Sequence, residues 1–150
     1  MPRTDPKRKK ARVRVAKAYR RIRNQRKDFA HKLSKQFALT YSLIAVEDLN
    51  VKGLASSRLS KSVNAAAWSM FTSMLEYKAE NAGSLVIKVD PRQTSQTCPD
   101  CGNIRKKELS QRWHECSCGC SLPRDMAAAK VILGRGLASL RNHPLEAVAL

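Results

Sequence analysis

Hydrophobic residues recur at helical intervals through the first quarter of the chain, among a dense series of lysines and arginines. Between residues 7 and 38 they fall three, four or seven positions apart, as on one face of an α-helix, at Val15, Tyr19, Ile22, Phe29, Leu33 and Phe37. Arg26 interrupts the series. The pattern predicts one long basic helix that packs along this stripe. Its other faces are either solvated or in contact with phosphates.

Two short apolar runs farther along the chain have the character of buried β-strands. The first covers residues 43–46 and ends at Glu47, and the second lies within "SLVIKVDP", residues 84–91. Continuous apolar runs of this length suit strands that are buried on both faces, as in a parallel sheet. Between them, residues 61–82 repeat apolar side chains at helical spacing, and Gly83 can cap that helix. The alternation predicts an α/β fold with parallel strands.

The remaining segments are less regular. Gly53 and a group of serines predict a loop over residues 51–62. A third helix is predicted from Asp125 to Leu140, before a loose tail, "NHPLEAVAL". Two strands are too few for a stable sheet. We therefore expect a missing N-terminal segment, or another chain, to complete it.

The charge predicts a class of partner for this scaffold, namely a polyanion. The 150-residue chain has 29 lysines and arginines against 12 acidic residues, a formal net charge of +17, and 15 of the basic residues lie within residues 1–35. Such an excess favours nucleic acid. An anionic membrane is the competing partner, but the longest apolar run, residues 37–46, is too short to span a bilayer.

The N-terminus is charged and no apolar segment follows it, so we expect no secretory signal. A cytoplasmic, nucleoid-associated protein without a membrane anchor fits these features best. In a reducing compartment, clustered cysteines are metal ligands more often than disulfides.

All five cysteines lie between residues 98 and 120, and the first four of them form two knuckles. Cys98-Pro-Asp-Cys101-Gly is the first, and Cys116-Ser-Cys118-Gly is the second. Four thiolates predict a closed tetrahedral Zn²⁺ site, which builds structure because it leaves no position for a reactive water. A segment this short, with few apolar residues, needs the ion in order to fold.

The second knuckle leaves its ligands open, because one residue rather than two separates its cysteines. Cys118 is preferred, since a glycine follows it as at Cys101. Cys116 comes next, then Cys120 and then His114. The basic residues around Trp113 either contact phosphates, with stacking on the indole, or form an exposed charged tip; they are Arg105, Lys106, Lys107 and Arg112.

Two carboxylates stand at the ends of predicted elements. Glu47 ends a strand and Asp125 begins a helix. Taken alone, they could be a solvated strand end and a helix cap. Functional groups, however, collect at the carboxyl ends of parallel strands. Two acids that converge there could hold Mg²⁺, and a two-metal site of this kind cleaves phosphodiesters.

Four stretches of the sequence resemble the TnpB, or OrfB, family of transposon-encoded relatives of type V CRISPR nucleases. "LIAVEDLNVKGL" is similar to the second RuvC motif of that family. "TSQTCPDCGN" and "HECSCGCSLPRDMAAAKVIL" are similar to its zinc ribbon and third RuvC motif, and "NQRKDFAHKLS" resembles the segment before the second motif. The resemblance extends over residues 8–140. It implies an RNA-guided, Mg²⁺-dependent DNA endonuclease with DNA and guide RNA as partners.

The resemblance also implies site residues and a domain plan. Glu47 matches the glutamate of the second motif, and Asp125 matches the last aspartate, although Pro123 and Ala127 replace the usual Asp and Asn. The family's first aspartate has no counterpart, because Asp5 lies in a polar arm. The implied fold is a partial RNase H-like (RuvC) domain without its first strands. It would comprise residues 1–94, an inserted zinc ribbon at 95–123, and the third motif with the tail at 124–150.

We therefore expect the C-terminal part of such a nuclease, truncated or decayed, whose Mg²⁺ site works only if a further carboxylate is supplied. The alternative is a catalytically inactive, zinc-dependent DNA- or RNA-binding protein. A ribosomal-type zinc ribbon that scaffolds RNA is a third possibility, but it leaves the strand that ends at Glu47 without a role.

Overall fold

The computed structural model describes residues 5–50, 64–108 and 110–142 of the chain. Its elements are α1 (Pro6–Thr40), β1 (Leu43–Glu47), α2 (Asn64–Ala82), β2 (Leu85–Val89), β3 (Trp113–Glu115), β4 (Ser121–Pro123) and α3 (Arg124–Asn142). The predicted order of helices, strands and cysteine module is confirmed. The predicted loop at 51–62 and the tail beyond Asn142 lie outside the described residues. None of the helices described is long and apolar enough to cross a membrane.

The chain forms two compact units, one built from α1 and α2 and the other from the four strands and α3. In the first unit, the buried residues of α1 are small and recur every fourth position, at Ala30, Ser34 and Ala38. Their partner helix α2 buries Leu75 and Ala79. Small side chains spaced by four residues form a shallow groove on a helix, so a second helix can approach closely.

The apolar stripe predicted along α1 is covered only toward its C-terminal end. Leu33 and Phe37 are half-buried, but Tyr19, Ile22 and Phe29 are exposed. The prediction that the whole stripe packs is therefore wrong. Helix length explains the difference, because α1 has 35 residues and α2 has 19, or about 52 Å against about 28 Å at the usual rise.

Lys78 of α2 makes a polar connection within this helix pair. Its ammonium group donates to the backbone oxygen of His31 at 2.5 Å and to the Ser34 hydroxyl at 2.8 Å. Burial, and then the charge of Lys35, lowers the pKa of Lys78. Because these contacts need one relative position of the two helices, they favour a single register over sliding.

In the second unit, β1 and β2 pair in parallel, from Leu43 opposite Leu85 to Glu47 opposite Val89. This pairing confirms the predicted parallel strands. Helix α3 packs on both strands. Gly136 makes the close approach possible, because a Cβ atom at that position would lie 2.9 Å from the Ala45 Cβ.

Glycine also ends α2 as predicted. Gly83 has a φ of 73°, and its amide donates to the backbone oxygen of Glu80 at 3.2 Å. The mixed helix-and-strand class is thus confirmed. Within the described ranges the parallel sheet has two strands. Its completion by other strands, and the domain boundaries after residues 94 and 123, stay predictions.

Candidate metal centre and acidic pair

Each cysteine knuckle is a hydrogen-bonded turn with a glycine in the left-handed region. In the first, the Gly102 amide donates to the Cys98 oxygen at 3.0 Å, and Gly102 has a φ of 74°. In the second, the Gly119 amide donates to the Cys116 oxygen at 3.0 Å, and Gly119 has a φ of 93°. Side chains with a Cβ atom rarely adopt this conformation. The glycines therefore allow the tight turns that aim the sulfurs inward.

The two knuckles bring four sulfur atoms together, those of Cys98, Cys101, Cys116 and Cys118, all within 4.8 Å of one another. The Cys98 and Cys118 sulfurs lie 3.6 Å apart, and the Cys101 and Cys116 sulfurs lie 3.5 Å apart. With Zn–S bonds of about 2.3 Å, a tetrahedral shell separates its sulfurs by about 3.8 Å. The group could therefore hold a metal ion. Its assignment as a zinc site stays a prediction.

The acidity of the thiols agrees with a cation among them. Burial acts to raise the pKa of Cys98, but the Cys101 backbone, the His114 side chain and the Asp100 backbone outweigh it and lower that pKa to about 5. The Cys120 backbone acts to lower the pKa of Cys118, yet the neighbouring cysteine sulfurs raise it to about 12. Four thiolates oppose one another's ionisation, and a divalent ion removes that opposition because metals bind the deprotonated form.

Cys120 and His114, the two alternative ligands, lie apart from the group of four. Together with Cys98 they form a second, fully buried group of potential ligands. The His114 Nδ1 atom contacts the Lys107 ammonium, which also donates to the Ser95 oxygen at 2.8 Å. A Lys⁺ donor requires Nδ1 to be an acceptor, so a neutral ring carries its proton on Nε2.

His114 is only 1% exposed, and its Nε2 atom makes no hydrogen bond of normal geometry within the described part of the chain. The ring does lower the pKa of Cys98. Its Nε2–H is therefore a proton donor available to the Cys98 sulfur, which belongs to the same group of potential ligands. His114 is the central residue of β3 and the one buried residue of that strand. This alternation of exposed and buried positions is the pattern that could have singled it out.

Ribbon and helix meet at the start of α3. Strands β3 and β4 pair antiparallel, with His114 opposite Leu122, and β4 leads directly into α3. The Arg124 guanidinium donates to the backbone oxygens of Glu108 and Gln111 at 3.1 and 3.0 Å. The first turn of α3, which carries Asp125, is thus anchored to the ribbon.

Glu47 is held at the carboxyl end of β1. It is half-buried and accepts a 2.6 Å hydrogen bond from the Thr94 hydroxyl. Thr94 is itself buried, with 5% of its surface exposed. The sequence analysis included Thr94 in the stretch "TSQTCPDCGN" but assigned it no role, because its contact with Glu47 joins two segments far apart in the sequence.

Asp125 is exposed in the first turn of α3, where the partial positive charge of the helix favours an acid. Among the residues that the structure describes, the groups of three or more potential ligands within 4.8 Å are the two cysteine groups. Within those residues, neither Glu47 nor Asp125 belongs to a group of three or more potential metal ligands. Their joint Mg²⁺ site stays a prediction.

Comparison with known proteins places these features in one family. Residues 3–58 match the OrfB_IS605 family, described as a probable transposase, and residues 68–132 match the Cas12f1-like TNB domain. A putative RNA-guided DNA endonuclease of Streptomyces pristinaespiralis is 39% identical over 88% of this chain and 34% of its own length. TnpB-like protein L79 of Acanthamoeba polyphaga mimivirus is 33% identical over 91% of this chain and 28% of its own length.

A chain in the cryo-EM structure of the Cas12f1–sgRNA–target DNA complex shares the fold. Its TM-score is 0.62 at 19% identity, over 81% of this chain and 38% of that one. The two family models and the relatives named TnpB-like confirm the resemblance to the TnpB/OrfB family that the sequence motifs carry. The chain spans well under half the length of the relatives it matches.

Proposed function

We propose that this chain is the zinc-ribbon-bearing, nucleic-acid-binding part of a TnpB-type RNA-guided DNA endonuclease, with a partial RNase H-like (RuvC) fold in its second unit. The observation that carries the proposal is the arrangement of that unit. A parallel strand ends at Glu47, a four-sulfur ribbon follows the second strand, and Asp125 lies in the first turn of α3.

In this proposal, Zn²⁺ is bound by Cys98, Cys101, Cys116 and Cys118. The ion supplies a covalent-like cross-link between the two knuckles, and with four sulfurs bound it has no position for water. The ribbon then fixes the position of the first turn of α3, because the Arg124 side chain donates to two backbone carbonyls of the ribbon. The zinc site acts on function by fixing where Asp125 stands.

Glu47 and Asp125 would contribute oxygen ligands to Mg²⁺, which supplies charge neutralisation at the scissile phosphate. Thr94 holds one Glu47 oxygen and leaves the other available to an ion. Two Mg²⁺ ions at a few Å need several shared negative ligands to offset their repulsion. Since the described residues give two such acids, we expect this chain alone to bind nucleic acid without cutting it efficiently.

DNA and guide RNA are the proposed partners. The relatives are named as RNA-guided DNA endonucleases, and the structural neighbour is Cas12f1 in complex with an sgRNA and target DNA. The net charge of +17 supports a polyanionic partner for this chain as well.

A second candidate function is a zinc-dependent DNA- or RNA-binding protein with no catalytic role. The observation that favours it is the exposed Asp125, whose neighbours Pro123 and Ala127 depart from the family's motif. In that case Asp125 would only stabilise the helix end, and Glu47 would only receive the Thr94 hydroxyl.

Incubation of the zinc-loaded chain with Mg²⁺ and labelled DNA, with and without RNA, tests the proposal. We expect salt-sensitive binding of both nucleic acids, unchanged in Glu47→Gln, and no turnover. Absence of any binding would overturn the proposal. Cleavage that Glu47→Gln abolishes would show that the acidic pair is sufficient, against our expectation for this chain.

A further inference from the structure

We propose that single-stranded nucleic acid lies in the groove between α1 and α2 of the first unit, hereafter the α1–α2 groove. This inference rests on the proposed function, since it names the face of the chain that meets nucleic acid and the form of nucleic acid it takes. It does not involve the zinc ribbon or the acidic pair.

The groove consists of two adjoining cavities of about 1000 and 680 Å³. Arg26, Ala67 and Met70 line both of them, so they form one continuous depression along the two helices. Its lining on α1 extends from Val13 to Phe37. It therefore includes the uncovered part of the predicted apolar stripe and overlaps the half-buried end of that stripe.

The lining of the α1–α2 groove includes exposed aromatic side chains. Tyr19 is 70% exposed and lines the larger cavity, and Phe29 is 65% exposed and lines the smaller one. A continuous exposed apolar surface marks a binding site, whereas apolar residues scattered singly over a surface do not. Ten residues of helix place the two rings about 15 Å apart along the axis, a distance that several unstacked bases can follow.

The rim of the groove is basic. Lys17, Arg20, Arg23 and Arg26 line it at three-residue intervals, and the described residues that line the two cavities include no Asp or Glu. The one acid within α1, Asp28, is engaged by Lys32 at 2.6 Å. The positive charge along the groove is therefore not neutralised by its own lining, and it is complementary to a chain of phosphates.

Exposed aromatic rings and basic side chains along one groove together favour a single strand over the other polyanions. A duplex keeps its bases stacked inside and offers its phosphates, so the aromatic rings would have no base to stack on. A single strand offers phosphates to the rim and base faces to the rings. A membrane surface is flat and fits a concave groove poorly. An acidic amphipathic peptide is the competing occupant, and it is tested below.

The test uses the full, zinc-loaded chain with a fluorescent oligo(dT), an oligo(U) and a DNA duplex of equal length. The variant is Tyr19→Ser with Phe29→Ser, and the matched control is Leu39→Ser, which is 69% exposed on α1 but does not line the groove. We expect the double variant to weaken single-strand binding about tenfold or more. Duplex binding should change less than twofold, as should every affinity of the control.

A second pair separates charge from stacking. Arg20→Gln with Arg23→Gln should weaken binding of every probe and flatten its salt dependence, whereas Arg8→Gln with Arg12→Gln, outside the groove, should flatten the salt dependence without changing the preference for single strands. Helix content and the melting temperature confirm that each variant is folded. Tyr19→Phe keeps an aromatic ring at this position. Unchanged single-strand binding in this variant would identify stacking as the interaction lost in the double serine variant.

The failures of the two proposals are distinguishable. If the unmodified chain binds neither single strand nor duplex, the proposed function itself fails. If it binds both and the double serine variant weakens neither, or weakens both equally, only the α1–α2 groove inference is overturned. Displacement of the oligonucleotides by an amphipathic glutamate-rich peptide, at lower concentration than by oligo(dT) itself, would overturn it in favour of a protein partner.

Discussion

The sulfur site and the acidic pair lie in the same unit, but they are built in different ways. The four sulfurs come from two turns close in sequence, each closed by its own backbone hydrogen bonds and a glycine. Glu47 and Asp125 come from a strand and from a helix far away in the sequence, so whether they meet depends on how α3 packs on β1. A site built from one short segment can form within that segment. A site built from distant elements forms only if those elements pack correctly.

The largest effect should follow from removing a sulfur ligand. We expect Cys98→Ser to weaken zinc binding at least a hundredfold and to unfold the ribbon, because much of the folding free energy of such a module comes from the metal. Zinc content after dialysis and the absorption of the Co²⁺-substituted protein measure the loss. Cys120→Ser is the control, since this sulfur lies outside the group of four. If Cys120→Ser lost as much zinc as Cys98→Ser, the group of four sulfurs would not be the metal site by itself.

The next effect concerns the packing that the acidic pair depends on. Gly136→Ala places a Cβ 2.9 Å from that of Ala45. We expect a net loss of about 1–2 kcal/mol in the free energy of unfolding, since overpacking outweighs the gain in helix propensity. Gly134→Ala in the same helix meets nothing within 4 Å and should stabilise by up to about 1 kcal/mol. Urea denaturation measures both.

Zinc content should not change in either glycine variant, because the four sulfurs do not depend on how α3 packs. A destabilised Gly136→Ala protein that also lost its zinc would contradict the separation of the two sites.

His114 tests whether the sulfur site extends beyond its four ligands. We expect His114→Leu to weaken zinc binding about tenfold, because the ring lies in the same group of potential ligands as the Cys98 sulfur, and a hydrogen bond to a metal-bound sulfur commonly contributes that much. Competition with a chromogenic chelator measures the affinity. His114→Gln, which keeps an N–H donor, should recover part of the loss. If leucine and glutamine behave alike, the histidine only fills space.

The smallest effect belongs to the acidic pair. Thr94→Val removes the 2.6 Å hydrogen bond to Glu47 and leaves a half-buried carboxylate with one partner fewer. The expected cost is about 1 kcal/mol of folding free energy, measured by thermal denaturation. Zinc binding should stay unchanged. In a double variant with Glu47→Gln, the two effects should be non-additive, because both remove the same contact.

The sequence analysis located the cysteine knuckles, the parallel strands and the three helices because each has a local signature. Apolar runs, helical spacing and glycines at turns are visible without tertiary structure. It failed on the packing of α1, because periodicity shows which residues share a face but not how far a shorter partner covers it. Ser34 and Thr94 lie in stretches that carry the family resemblance, but neither was assigned a role, since buried polar residues are marked only by the groups they contact.

The most direct test of the contrast between the two sites is a count of bound metals. The purified chain would be equilibrated with limiting Zn²⁺ and millimolar Mn²⁺, which stands in for Mg²⁺, and then analysed by elemental analysis and by electron paramagnetic resonance. We predict one zinc per chain, lost in Cys98→Ser, and no stoichiometric manganese. A chain that binds no zinc, or one that binds manganese and releases it in Glu47→Gln, would contradict the account.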